Sequence, residues 1–149
     1  FVPTNIVNAS VMNSKTVVID LIKAASLVME TISKNLKPHG ISLPKFNVLR
    51  ILRGQKGVAA NLFTVQERMI HKMSNTTRLI DKLIDKKLVR RAVCEENRRK
   101  IELYITAEGL ELLQRVDPIV AAVENNFTAL LDQESLENLD ALLHQLKIN

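Results

Sequence analysis

SNTTRLIDKLIDKKLVRRAVCEENRRKIELYITAEG, residues 74–109, changes its hydrophobic period midway, and the rest of the chain can be arranged around that change. Ser74 can cap a helix running to about Lys87 whose inward face is Leu79, Ile80 and Leu83, leaving Asn75, Arg78 and Lys82 outward or near its N-terminus. After Leu88 the period falls to two. Ile101, Leu103 and Ile105 alternate with Lys100, Glu102 and Tyr104, as on a strand with one buried face, and Leu88 to Val93 is its expected partner. The polar link from Cys94 to Arg98 makes the pair a β-hairpin with an exposed tip. Just upstream, Thr64 is expected to begin a short helix through about His71 with Val65 and Met69 inward. Two short helices with a brief connection form a helix-turn-helix, and the hairpin after it is a wing.

The flanks read as long helices. From about Ser14 to Leu36, Val18, Leu21, Ala25, Val28, Ile32 and Leu36 recur at three- and four-residue steps, until Lys37-Pro38-His39-Gly40 ends the run. Ser42 can cap a second helix that accepts Pro44 in its first turn and buries Phe46, Leu49, Ile51 and Leu52, with Gly54 and Gly57 at its end. Beyond the wing, Thr106 can cap a helix with Glu108 in its first turn. Along it Leu113, Val116, Val120, Val123, Phe127 and Leu130 form a heptad seam, which calls for a partner helix. Pro118 is expected to kink that helix. Asp132 can cap a last one, where Leu136, Leu139, Leu143 and Leu146 repeat the spacing. The fold class expected is mainly α with a small β-hairpin wing (α+β). One domain spans residues 1–149, with the winged unit at about 40–106 and dimerisation helices at about 10–37 and 107–149.

With 46% hydrophobic residues, 149 residues can bury a core without disulfides or metal. No apolar run reaches the roughly 18 residues of a membrane span, so a cytoplasmic protein is expected. Cys94 is the sole cysteine. It excludes an intrachain disulfide, and a plain surface role is preferred for it over a redox switch. Charge is unevenly distributed. Residues 68–100 hold eleven Lys/Arg against four Asp/Glu, whereas residues 101–149 hold two against nine. A basic centre before an acidic tail suits a polyanion-binding segment on a scaffold of another purpose. His39, His71 and His144 form no ligand pattern with neighbouring residues, and neither nucleotide-binding glycine motifs nor a nucleophile elbow occurs. No metal, no cofactor and no enzymatic activity are expected.

Leu83-Ile84-Asp85-Lys86-Lys87-Leu88-Val89-Arg90-Arg91, then Asn97-Arg98-Arg99-Lys100, then Tyr104-Ile105-Thr106-Ala107-Glu108-Gly109 follow the Ser74–Arg78 stretch in a succession that resembles the recognition helix, wing and following helix of the MarR (multiple antibiotic resistance regulator) family. The resemblance implies a homodimer that binds double-stranded DNA, with recognition helices in successive major grooves and wing arginines at the flanking minor groove or backbone. It implies DNA contacts from Thr64, Ser74, Asn75, Thr76, Thr77, Arg78, Lys82, Arg98 and Arg99. Read from the residues alone, Ser74 as a mere cap, Thr76 packed inward and Arg78 as a surface charge stand as an equal alternative. Asp81 matches a family carboxylate that pairs with the second wing arginine, here Arg99, which would bind wing to helix instead of touching DNA. Two departures from the family pattern are Asn97 where many members have Asp, removing a charge that could brace the tip, and Lys87 where many have Gly. Lys87 must adopt the left-handed conformation or end the helix differently.

The expected function is sequence-specific regulation of transcription, by repression on a pseudo-palindromic operator with half-sites roughly 34 Å apart. The resemblance further suggests release by a small aromatic or phenolic effector, for which Met29, Phe46 and Leu113 are candidate pocket residues. The competing reading is a winged-helix protein–protein interaction module with no specific operator.

Overall fold

The computed structural model describes residues 13–71 and 75–146, which form six helices and one two-stranded hairpin. Helix α1 (Ser14–Leu36) starts on Asn13, whose Oδ1 accepts from the Thr16 N–H at 3.0 Å, and leads through a 3₁₀ turn at Lys37–His39 to Gly40, where φ is 72°. Helix α2 (Leu43–Gly54) is the centre of the molecule. It buries Phe46, Val48, Leu49 and Leu52 in the core. Ser42 sits at its N-cap in extended backbone, yet its hydroxyl makes no capping bond.

Helix α3 (Leu62–Arg68) begins two residues before Thr64. Its cap is Asn61, whose Oδ1 accepts from the Thr64 N–H and hydroxyl, and it stops three residues short of His71. Helix α4 (Thr76–Asp85) then turns Thr76, Leu79, Ile80 and Leu83 into the core. Ser74, the expected cap, lies outside the described residues. At the other end the Leu88 N–H bonds to Leu83 O and the Lys87 N–H to Ile84 O, both at 2.9 Å, the paired bonds that close a helix on a left-handed residue. That residue is Lys87, with φ 61°. The helix ends as it would with glycine, without the glycine.

Strands β1 (Val89–Val93) and β2 (Ile101–Ile105) pair antiparallel from Val89 opposite Ile105 to Val93 opposite Ile101. Only Leu103 of the three alternating apolar residues is fully buried; Ile101 remains 42% exposed because it lies toward the wing tip, away from the core. Ala60, which precedes α3, exchanges both backbone hydrogen bonds with Leu103 and covers the free edge of β2.

Helix α5 (Ala107–Phe127) is capped by Thr106, whose hydroxyl accepts from the Gly109 N–H at 3.0 Å while donating to Lys87 O at 2.7 Å. One side chain thus binds the end of α4's turn to the start of α5. Pro118 lies inside α5 without ending it. The expected seam divides: Leu113, Val116 and Val120 are buried in the chain's own core, where α1 and α2 are their partners, and Leu130 falls beyond the helix and is fully exposed. Phe127, 45% exposed, marks where the apolar stripe leaves that core. Helix α6 (Gln133–Gln145) is capped by Asp132, and the bonds from the Ser135 hydroxyl and N–H hold that carboxyl below its ordinary range. Leu139, Leu142 and Leu143 of α6 face solvent beside the exposed Val17 and Leu21 of α1. No helix among the described residues is long and apolar enough to cross a membrane.

Candidate nucleic-acid interface

Because α4 commits Thr76, Leu79, Ile80 and Leu83 to the core, the 3.6-residue period leaves Asn75, Thr77, Arg78, Asp81 and Lys82 exposed along the opposite face. This face is basic at Arg78 and Lys82, neither of which ion-pairs among the described residues. Thr76, a candidate contact in the sequence, is wholly buried, and its hydroxyl points at the Met69 sulfur at 3.8 Å. It belongs with the core and not with the exposed face. Thr64 is half-buried and spends its hydroxyl on the Asn61 cap at 3.0 Å. Asn47, which sequence reasoning passed over, holds the exit of α3: its Oδ1 accepts from the Ile70 N–H at 2.9 Å and so ties the turn between α3 and α4 to α2. A polar residue amid α2's apolar positions was the available signal.

The wing is attached to the recognition-like helix by a pair other than the expected one. Asp81 Oδ1 accepts from Arg91 of β1 at 2.7 Å, and Arg99 plays no part. The register explains this. Arg91 stands opposite Leu103, midway along the hairpin and within reach of α4, whereas Arg99 is at the tip. On β1's other side Arg90 stacks over the Tyr104 ring, 4.4 Å from its centroid, and the Tyr104 hydroxyl donates to Glu102 Oε2 at 2.9 Å. That hydrogen bond is the main reason the phenol's pKa is raised above its ordinary value.

At the tip, Asn97 does the bracing that its lack of charge seemed to forfeit. Its Oδ1 accepts from the Arg99 N–H at 3.1 Å and its carbonyl from the Lys100 N–H at 2.9 Å, while the Cys94 N–H bonds to Lys100 O. Arg98 and Arg99 are therefore carried on a formed turn, exposed, with guanidinium groups that make no ion pair among the described residues. Cys94 is half-buried and free.

The three residues expected to line an effector pocket do not come together around one. Phe46 and Leu113 are 2% and 0% exposed, filled in by core neighbours, and Met29 is half-buried with its sulfur 3.3 Å from His71 Nε2. Open hollows lie elsewhere. One runs between α1 and α5 past Leu27, Thr31, Asn35 and Ile119, and an apolar groove runs between α1 and α6 past Leu21, Val28, Phe127 and Leu143. No group of three or more His, Cys, Asp or Glu side chains suited to a metal occurs among the described residues.

The sequence profile of the MarR family matches residues 41–101, the stretch that carries α2, the helix-turn-helix and the wing. The chain is 26% identical over 129 residues, 87% of its length and 88% of the relative's, to the HTH-type transcriptional regulator MhqR of Bacillus subtilis. It is 25% identical over 126 residues, 85% of its length and 89% of the relative's, to an HTH-type transcriptional repressor of Mycobacterium tuberculosis. Among solved structures, a MarR-like transcription regulator of Bacillus cereus superposes with a TM-score of 0.80 at 21% identity, covering 90% of this chain and 95% of that one. The MepR protein of Staphylococcus aureus, solved as a DNA complex, superposes with a TM-score of 0.75 at 18% identity, covering 90% and 96%.

Proposed function

We propose that this protein, whose residues 41–101 match the profile of the MarR family, is a winged-helix transcription regulator of that family and acts as a homodimeric repressor on a pseudo-palindromic DNA operator. The observation that carries the proposal is the exposed face of α4, where Asn75, Thr77, Arg78 and Lys82 stand unpaired while a wing pinned to the helix by Asp81 and Arg91 carries Arg98 and Arg99 exposed at its tip. A helix of ten residues with its inward face fully engaged in the core fits the major groove, which admits one α-helix. Asn75 and Arg78 are the side chains suited to base edges, and Lys82, Arg98 and Arg99 to phosphates or the minor groove. Two such units related by a two-fold axis read half-sites roughly 34 Å apart. The helices α1, α5 and α6 serve as the dimerisation part, and the molecule acts in the cytoplasm by occupying DNA rather than by catalysis.

Release by a small effector follows the same frame, since a BpsR structure is described with 6-hydroxynicotinic acid regulating its DNA binding. In this chain the hollow between α1 and α5 is the better candidate than the filled surroundings of Phe46 and Leu113.

Selection of bound duplexes from a random pool at moderate salt, run in parallel with Arg78→Ala, tests the central claim. A two-fold-symmetric motif is expected with the native chain, and its enrichment should collapse in the variant. A folded dimer that enriches nothing would remove the operator reading.

A further inference from the structure

Helix α2 carries a lysine where a lysine is electrostatically misplaced. Lys45 lies in the first turn, which contains no acidic residue, so its ammonium sits at the positive end of the helix dipole. Across from it α4 ends with Lys82 and Lys86, four residues apart and hence on one helical face. Lys86 Nζ donates to Gly40 O at 3.0 Å, which fastens the end of α4 to the loop just before α2, the helix that carries Lys45. The crowding registers on Lys45, whose pKa is lowered first by burial and then by repulsion from Lys86 and Lys82. None of the three ion-pairs with a carboxylate among the described residues.

The same corner presents unused donors. The Ser42 hydroxyl makes no capping bond, and the first-turn N–H groups of Leu43 and Lys45 have no intrahelical acceptor. Pro44 between them has no N–H to offer. Three like charges gathered around open N–H groups, with no counterion, cost the folded chain stability. An oxyanion at this corner would remove that repulsion and satisfy the donors.

We propose that Lys45, Lys82 and Lys86, with the open first turn of α2, form a phosphate clamp that holds the DNA backbone alongside the recognition helix. The proposal rests on the operator reading above and extends it to residues on a different helix. The DNA backbone is the occupant favoured because Arg78, Lys82 and Lys86 step by four along α4, a basic stripe about 12 Å long at 1.5 Å per residue. The stripe runs from the end of α4 assigned to base reading directly to Lys45, so a strand leaving the groove along it arrives at the clamp. Lysine suits this role, since a point charge on a flexible stem binds phosphate without demanding a fixed geometry. The clamp adds affinity and fixes how far α4 seats in the groove, while carrying no sequence information of its own.

Affinity for the selected duplex, measured across a salt series for the native chain, Lys45→Gln, Lys86→Gln and Lys45→Arg, tests this. Each Gln variant should make the slope of log K against log salt shallower by about 0.9, the signature of one lost phosphate contact. Lys45→Arg should keep the native slope, and the ranking of duplex sequences should be the same for all four. Thermal unfolding at low salt should show Lys45→Gln no less stable than the native chain, because a repulsion has been removed. Native slopes in both Gln variants, or an altered ranking, would overturn the clamp. Stabilisation of the native chain by inorganic phosphate at constant ionic strength, lost in Lys45→Gln while the DNA slope stays native, would assign the corner to a free anion and overturn the DNA assignment. A native chain with no sequence preference would instead defeat the operator reading, and the slopes would still report on the lysines.

Discussion

Lys87 is held in the left-handed region at φ 61° because the turn from α4 into β1 leaves one residue to reverse the chain. The conformation costs an L-residue about 1–2 kcal/mol, partly offset by lysine's smaller loss of backbone entropy relative to glycine. Lys87→Gly should therefore raise the unfolding free energy by about 0.5–1 kcal/mol, read from the midpoint of urea denaturation at unchanged m-value. Asp81 makes a second residue-level test. Its bond to Arg91 is partly exposed on both sides, so it should contribute less than about 1 kcal/mol to stability, and a double-mutant cycle should find coupling for Asp81→Asn with Arg91→Ala and none with Arg99→Ala. The family resemblance implied Arg99 as that partner. Only the hairpin register, which sets Arg91 against Leu103 beside α4, makes the choice.

At the scale of elements, the wing and α5 meet at a contact too close for a side chain. A Cβ at Gly109 would lie 2.5 Å from Leu88 O and 2.7 Å from Ile105 Cγ1. The carbonyl is fixed by its bond from the Thr106 N–H, so the backbone has no slack to give. Gly109→Ala ordinarily favours a helix, but here it should destabilise by about 2–3 kcal/mol, measured by thermal unfolding, and should weaken DNA binding by displacing the wing. The alternation in residues 100–105 and the caps Thr106 and Asp132 were legible because each depends on neighbours within four residues. Asn61 was not distinguished from Thr64 as the start of α3, since both residue types cap and either fits the period. The heptad seam misled for a related reason: spacing states that one face of α5 is apolar, but not whether α1 of the same chain or a helix of another covers it.

In the whole molecule the described residues leave one large face unfinished. Val17 and Leu21 of α1, Phe127 of α5, and Leu139, Leu142 and Leu143 of α6 are each 39–59% exposed and border a continuous apolar groove. A contiguous patch of this kind on a monomer calls for a partner surface. With the dimer proposed above, Leu139→Lys combined with Leu143→Lys should give a monomer in sedimentation experiments, with α2–α4 and the wing still folded by hydrogen exchange. Its affinity for a full operator should fall to that for a half-site. A dimer that survives both charges would move the interface elsewhere. The winged unit is meanwhile joined to α5 by ion pairs from Arg53 to Asp117 and Arg50 to Glu124, on the helix that carries Phe127 to the proposed dimer face.

The order of the elements, the helix-turn-helix with its wing and the basic centre were written in the sequence, because period, caps and charge are local properties of adjacent residues. The tertiary structure alone decided that Thr76 is core, that Asp81 takes Arg91, that Phe46 and Leu113 are filled space and that Lys86 reaches Gly40 beside the start of α2. Each of those depends on which face of one element is turned toward another. That orientation is fixed by packing between residues far apart in the chain, and no local pattern records it.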